Sequence, residues 1–416
     1  MPVLAAIRRA DWLTRDRVMA WAAILLALEA ILILFIAAWQ NGAFFTVTNP
    51  ISSDFVSFYA AGKLALAGTP DLAYDQAAHY VAQQQARIPG APYQYFFYPP
   101  VFLLLCAGLA ALPYFVAYYL FQGVTLALFL VAIHRILAIE GRGWLLPVLA
   151  FPALFWNLGV GQNAFLTAAL FAGFTLLLDR KPIGAGAMLG LMCYKPHFGI
   201  LAPFSLLAGG HWRAVFAAGV MVTALVGLSV ALFGIDTWTA YLAAASGSHQ
   251  VYESGRIDLA GMITVFGALR LLGVSPALAW TAQGVVAIAM IVLTAVVWRR
   301  CADPALRSAQ LLTATLLAVP LALVYDQILL LVAIAWLVRA AQRTGFLSWE
   351  KPALLTVYAL SVAIWPIGTT WHVPVAPILH LLVLALTLRR VVCAARPEVR
   401  GRARMAPFQL AAGATP

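Results

Sequence analysis

The stretch "SSDFVSFYAAGKLALAGTPDLAYD", residues 52–75, sets three carboxylates, Asp54, Asp71 and Asp75, beside aromatic side chains and between strongly apolar runs. A carboxylate in that setting can accept a proton from a hydroxyl, cap a helix, or keep a loop in water. Elsewhere the chain carries Glu29, Lys195, His197, Arg256, Asp326, His372 and His380 inside or beside apolar segments. Such groups are costly in a bilayer and are functional-site candidates for that reason. Spacing alone favours a modest role for Asp54. Ser52-Ser53-Asp54 precedes an apolar segment at 55–67 that Gly68 and Pro70 end, which suits an N-cap. Phe55, Phe58, Tyr59 and Leu66 form a stripe there, predicting an amphipathic helix lying on a membrane surface. Asp71 and Asp75 read as solvated, with Asp71 a cap for the following helix. Lys195, in "GLMCYKPHFG", suits snorkelling and anion binding equally well. Asp326, in "AVPLALVYDQILLLVAIAWL", has an interhelical hydrogen bond as its plain reading. Glu29 and His380 read as interhelical contacts, and Gly161-Gln162-Asn163 as a polar turn.

The elements that position these groups follow from composition. The 416 residues are 63% hydrophobic and 10% charged, with mean hydropathy +0.91, whereas a soluble domain carries about a quarter charged residues. Apolar runs of about 18 or more residues recur along the chain. The fold class is therefore all-α, a polytopic transmembrane helical bundle of roughly ten to thirteen helices. An outer-membrane barrel would alternate in short segments instead. Cys106, Cys193, Cys301 and Cys393 lack metal-ligand spacing and read as packing residues.

The net charge of +11 does not point to nucleic acid, because most of the 26 basic residues cluster between apolar runs. Positive loops face the cytoplasm, which places both termini inside. A retained first helix at about 18–39 then delivers residues 40–97 outward, and residues 235–258 form a second outer loop. Residues 1–388 make one transmembrane domain, and the basic stretch 389–416 reads as a disordered cytoplasmic tail that contacts anionic lipid. Segments 183–194 and 197–209 suit two half-length spans meeting at Lys195-Pro196. Between 98 and 160 the parity has two solutions. If every apolar piece spans, Arg135 and Arg142 fall outside; if one is re-entrant they fall inside, as the charge rule favours. With this parity Asp54, Lys195, Arg256, Asp326 and His372 share the outer membrane face. That is the layout of a catalytic or binding site.

The ordered set of motifs resembles glycosyltransferase family 87, integral membrane enzymes of the GT-C superfamily that include mycobacterial mannosyltransferases extending phosphatidylinositol mannosides. The resemblance runs through "AGKLALAGTPDLAYD" and "YPPVFLLLCAGLAALPY" to "GQNAFLTAALFAGFTLLLDRKPIGAGAMLGLMCYKPHFGIL", then "MITVFGALRLLG" and "YDQILLL". It covers most of residues 20–335. It implies transfer of a sugar, mannose or another hexose, from a polyprenyl-phosphate donor to a lipid-linked or glycan hydroxyl. The reaction would lie on the non-cytoplasmic face of a bacterial inner (plasma) membrane. Asp54 matches the family's first-loop catalytic aspartate, which outweighs the cap reading. Tyr98-Pro99-Pro100, Gly161-Gln162, Lys195 and Tyr325-Asp326 match its recurrent polar positions.

Physical chemistry agrees. A polyprenyl-phosphate sugar keeps its tail in the bilayer and its head at the surface, so its enzyme needs polar groups at helix ends. Asp54 would be the general base. The substrate-binding set is Lys195, Arg256, Asp326, Tyr325, Tyr98, Gln162 and His372, with Lys195 and Arg256 the cations for the leaving phosphate. One base with phosphate departure implies a single inverting displacement, by analogy with inverting glycosidases. The first loop has no Asp-x-Asp pair, so neither a cofactor nor an obligatory metal is expected. Trp238, Tyr241, Tyr252 and Trp371 suit sugar stacking or interface anchoring. A lipid-linked sugar flippase or transporter is the alternative; it would show ionisable groups near the midplane and paired broken helices.

Overall fold

The computed structural model describes residues 7–39, 53–86, 92–253 and 257–395. Every named element in them is helical, and the one β-type pairing is an isolated antiparallel bridge between Met262 and Leu323. Five helices are long and apolar enough to cross a membrane: Tyr114–Leu137, Trp212–Phe233, Pro276–Arg300, Val324–Thr344 and Val375–Ala394. A sixth span results if Glu350–Ser361 and Ile364–Trp371, bent by 64° at their junction, count as one. That is fewer long spans than the sequence suggests, because several apolar runs fold as short pieces. Pro100–Ala110, Ala164–Leu177, Pro182–Tyr194 and Pro196–Ala208 are all too short to cross alone. Proline opens many of these helices (Pro100, Pro152, Pro182, Pro276 and Pro304 occupy the first turn), where its missing N–H costs nothing.

The bundle centre is built from Pro304–Ala318, buried along nearly its whole length, and Ile328–Thr344, packed on each other. Tyr114–Leu137 and Ala164–Leu177 pack around the second of these. At the periphery, Trp212–Phe233 buries only Ala214 and Ser229, and Phe216 is 75% exposed. A continuous apolar helix face left open in this way needs lipid rather than water beside it.

Three expectations change. The Ser53–Leu66 helix does not lie on a surface. Phe55, Phe58, Ala60 and Ala61 are buried, and the helix packs on Pro100–Ala110. Gly62 permits this approach, since a Cβ there would meet the Cys106 carbonyl oxygen at 2.1 Å. The stripe that suggested a membrane-surface helix is a core contact. Residues 235–253, expected from the sequence as most of an outer loop, are a helix, Ile235–Glu253. The last helix runs through residue 395. Arg390, expected in the tail, is instead 5% exposed and paired with the buried Glu350. Residues 396–416 lie outside the described residues.

Two half-length pieces do meet at Lys195, as the proline after it predicts: two short 3-10 turns, Met192–Tyr194 and Pro196–Gly199, flank the lysine.

Candidate active site

Each polar residue of the site stands where a helix starts or breaks. Asp54 lies in the first turn of Ser53–Leu66 rather than capping it, a position where the helix dipole favours a carboxylate. Asp75, not Asp71, accepts the capping hydrogen bond of the next helix, from Ala78 N at 2.8 Å. Tyr98 ends the extended segment before Pro99 and Pro100. Gln162 follows Gly161, whose φ of 73° closes the Pro152–Val160 helix in the left-handed region. Asp326 sits in the 3-10 turn Val324–Gln327.

These residues, far apart in sequence, meet. The Tyr98 hydroxyl donates to Gln162 Oε1 at 3.1 Å, and Gln162 Nε2 donates to Asp54 Oδ2 at 3.1 Å. The Gln162 side chain is itself fixed by the Asn163 backbone N–H, which donates to Oε1 at 2.8 Å. Beneath it Gln122 Nε2 donates to the Gln162 carbonyl, and Asn157 Nδ2 donates to Gln122 Oε1. Asn157 also accepts from the Ala164 N–H through Oδ1. A side-chain ladder thus runs from the core to the Asp54 carboxylate, with its geometry set at each rung.

Beside it is a buried ion pair. Lys195 Nζ lies 2.9 Å from Asp326 Oδ1, with the two residues 5% and 4% exposed. The Leu323 N–H donates to Asp326 Oδ2 at 3.1 Å. Lys195 also sits over the rings of Phe198 and Tyr325, at 5.0 and 5.7 Å from their centroids. The Met262–Leu323 bridge, with the Ile263 N–H donating to the Ala322 carbonyl at 3.0 Å, ties the "MITVF" and "YDQ" motifs together and braces this turn. Tyr98 joins the two halves. Burial first, then the Asp326 and Asp54 carboxylates, push its phenol well above its ordinary pKa. It therefore stays protonated and able to donate.

The structure thus brings Asp54, Tyr98, Gln162, Lys195, Tyr325 and Asp326 together. His372 is exposed, at a φ of 55° after the Ile364–Trp371 helix, and makes no hydrogen bond to this network. Arg256 lies outside the described residues. His380 is the interhelical contact expected of it, 3.1 Å from Gln327 Oε1. Tyr252 is buried against Met262 and Phe266, and Trp371 is 68% exposed. Sequence reasoning misses Gln122 and Asn157, and reads Asn163 only as part of a polar turn. Asn163 is fully buried with neither amide atom hydrogen-bonded, although it lies close enough to Tyr98 to favour the ionised phenol. Among the described residues no group of three His, Cys, Asp or Glu side chains could hold a metal ion.

The arrangement offers a positioned carboxylate, a protonated phenol and a buried ammonium within one polar cluster of an apolar bundle. In comparisons with known proteins, the model of glycosyltransferase family 87 matches residues 96–323, more than half of the chain. No curated protein and no solved structure matches it. Asp54 precedes the matched segment and accepts a hydrogen bond from Gln162 within it. The chain belongs to glycosyltransferase family 87.

Proposed function

We propose that this membrane glycosyltransferase moves a hexose from a polyprenyl-phosphate donor to a lipid-linked or glycan hydroxyl on the non-cytoplasmic face, with inversion. The observation that carries the reading is the convergence of Asp54, through Gln162 and Tyr98, with the Lys195–Asp326 pair. Asp54 takes the proton of the acceptor hydroxyl as that oxygen bonds to the anomeric carbon. The bond from the anomeric carbon to the phosphate oxygen breaks, and polyprenyl phosphate leaves with the electron pair. Lys195 has three N–H donors, and Asp326 accounts for one of them. The remaining donors suit the departing phosphate, and Asp326 fixes the direction in which they point.

The end of the bundle occupied by the site supports the assigned face. Arg343, paired with Asp303 at 2.8 Å, stands at the far end of the Ile328–Thr344 helix from Asp326. Those 17 residues span about 25 Å, close to the thickness of a bilayer's hydrocarbon core. Arg307, at 3.0 Å from Asp179, belongs to the same basic end. With basic residues cytoplasmic, the Asp54 cluster faces the other side.

The test is Asp54→Asn. Asparagine keeps the size, the first-turn position and an oxygen for Gln162, but cannot take up a proton. With a short-chain polyprenyl-phosphate hexose, transfer should fall by about a hundred-fold or more while the melting temperature stays at the parental value. Asp71→Asn is the control and should keep most activity. Parental transfer by Asp54→Asn would remove the base assignment.

A further inference from the structure

One polar side chain beside the site has no part in the chemical step above. Asn163 is fully buried, and neither Oδ1 nor Nδ2 has a hydrogen-bond partner among the described residues. Its backbone, by contrast, is satisfied. The Asn163 N–H donates to Gln162 Oε1 at 2.8 Å, and its carbonyl accepts from the Thr167 N–H at 3.1 Å and the Thr167 hydroxyl at 3.2 Å. Only the amide is left over, and a buried amide without partners costs stability.

The local rule for this position is broken as well. Asn163 is the N-cap of the Ala164–Leu177 helix, where asparagine ordinarily turns its oxygen back onto the N–H groups of the first turn. Here it makes no such bond. The Ala164 N–H is taken instead by Asn157 Oδ1 at 2.9 Å. One asparagine thus serves the helix end and leaves the other free to face elsewhere. A residue that departs from its local rule at a cost in stability is where a functional reason is expected.

That reason lies with Tyr98. The Tyr98 hydroxyl and the Asn163 N–H converge on one atom, Gln162 Oε1, at 3.1 and 2.8 Å, which sets the asparagine beside the phenol. The asparagine side chain favours the ionised phenol, as a donor pointed at the phenol oxygen does. The backbone N–H fixes Gln162 Oε1 as an acceptor, so the Gln162 amide has one orientation, with Nε2 on Asp54 Oδ2. The phenol proton is not fixed in this way. The Asp326 carboxylate also acts on Tyr98 and offers that proton a second acceptor. An N–H on one side of the phenol oxygen leaves the proton only the other side.

We infer that Asn163 is a further positioning residue for the transfer: with substrate in the site its Nδ2–H closes onto the Tyr98 oxygen, which commits the phenol proton to Gln162. The terminal torsion of asparagine is soft, and catalytic hydrogen bonds commonly tighten only when substrate is bound. The donors Asn163, Tyr98 and Gln162 then form one row that polarises towards Asp54. The inference rests on the transferase reading above for Asp54 as the end of the row, but not for the coupling of Asn163 to Tyr98.

Asn163→Leu removes the amide at nearly constant volume. No described hydrogen bond of the amide is lost, so the variant should melt at or above the parental temperature. With a short-chain polyprenyl-phosphate hexose, kcat should nevertheless fall about two- to tenfold, while KM for both substrates changes little. Asn163→Ala is the second variant, for the case that leucine does not fit, and should show the same fall. Added to Tyr98→Phe, either change should lower kcat no further, because the phenol oxygen is already gone. Parental kcat in a folded Asn163 variant would overturn the inference, as would Asn163 and Tyr98 losses that multiply. A loss shared between KM and kcat with a lower melting temperature would also mark Asn163 as merely structural. Should Asp54→Asn transfer at the parental rate while the Asn163–Tyr98 coupling persists, the coupling stands and the base assignment falls.

Discussion

Lys195 and Asp326 allow catalytic and structural roles to be separated by a double-mutant cycle. Lys195→Met keeps the length of the side chain and removes its charge. It also leaves Asp326, 4% exposed, with only the Leu323 N–H as a described hydrogen-bond donor. Breaking a buried pair from one side costs about 3–5 kcal/mol, so the single variant should unfold at lower temperature and its activity loss is ambiguous. Asp326→Asn added to Lys195→Met removes the stranded charge and keeps an oxygen for Leu323 N–H. Replacing both partners of a buried pair is often close to neutral, so most of the melting temperature should return. Transfer should not return. The lost charged hydrogen bond to the leaving phosphate is worth about 1.5–3 kcal/mol, or roughly ten- to a hundred-fold in rate with a polyprenyl-phosphate hexose. Thermal unfolding and transfer kinetics on the four proteins of the cycle measure both quantities. A double variant that recovers stability and transfer together would show that the pair only holds the fold, and would remove Lys195 from the reaction.

Two further expectations concern the surrounding network. Gln162→Leu deprives the Asp54 carboxylate of its amide donor and should lower kcat by roughly ten- to a hundred-fold, whereas Tyr98→Phe removes a neutral hydrogen bond and should cost about two- to tenfold; equal effects on kcat, or none from Gln162→Leu, would contradict the ladder. His79 is buried neutral, its pKa lowered by desolvation to about 4. Between pH 6.5 and about 4 the unfolded chain binds a proton that the folded chain does not, so stability should be lost as the pH is lowered across that window, by up to about 3 kcal/mol. Melting curves of the parent and His79→Gln check this, the variant lacking the added slope.

What the sequence reveals and what it conceals separate along one physical line. Asp54, Tyr98, Gln162, Lys195 and Asp326 all stand beside a visible break: the residues before a first turn, Pro99-Pro100, Gly161, Pro196, and the turn before "ILLL". Helix ends leave backbone groups without intrahelical partners, and a bilayer tolerates such ends only at its surface or where protein covers them. Breaks in apolar runs are therefore where polar side chains can gather, and proline and glycine mark them in the sequence. His380 lies within a helix and makes only an interhelical contact, which the same rule anticipates. His372 stands at a break too, yet its side chain is exposed. A break permits a site residue without deciding which way it points. The burial of Ser53–Leu66 is concealed for a different reason. Its stripe of Phe55, Phe58 and Tyr59 fits a lipid surface and a protein core equally well, and the deciding contact is Gly62 against the Cys106 carbonyl, 44 positions along the chain. Gln122 and Asn157 are concealed by the same kind of long-range pairing. Each is a single polar residue in an apolar run, and only the fold shows that the two hydrogen-bond each other and support Gln162. Local chemistry names the places where a site can form; the close approach of small residues determines which of those places share one.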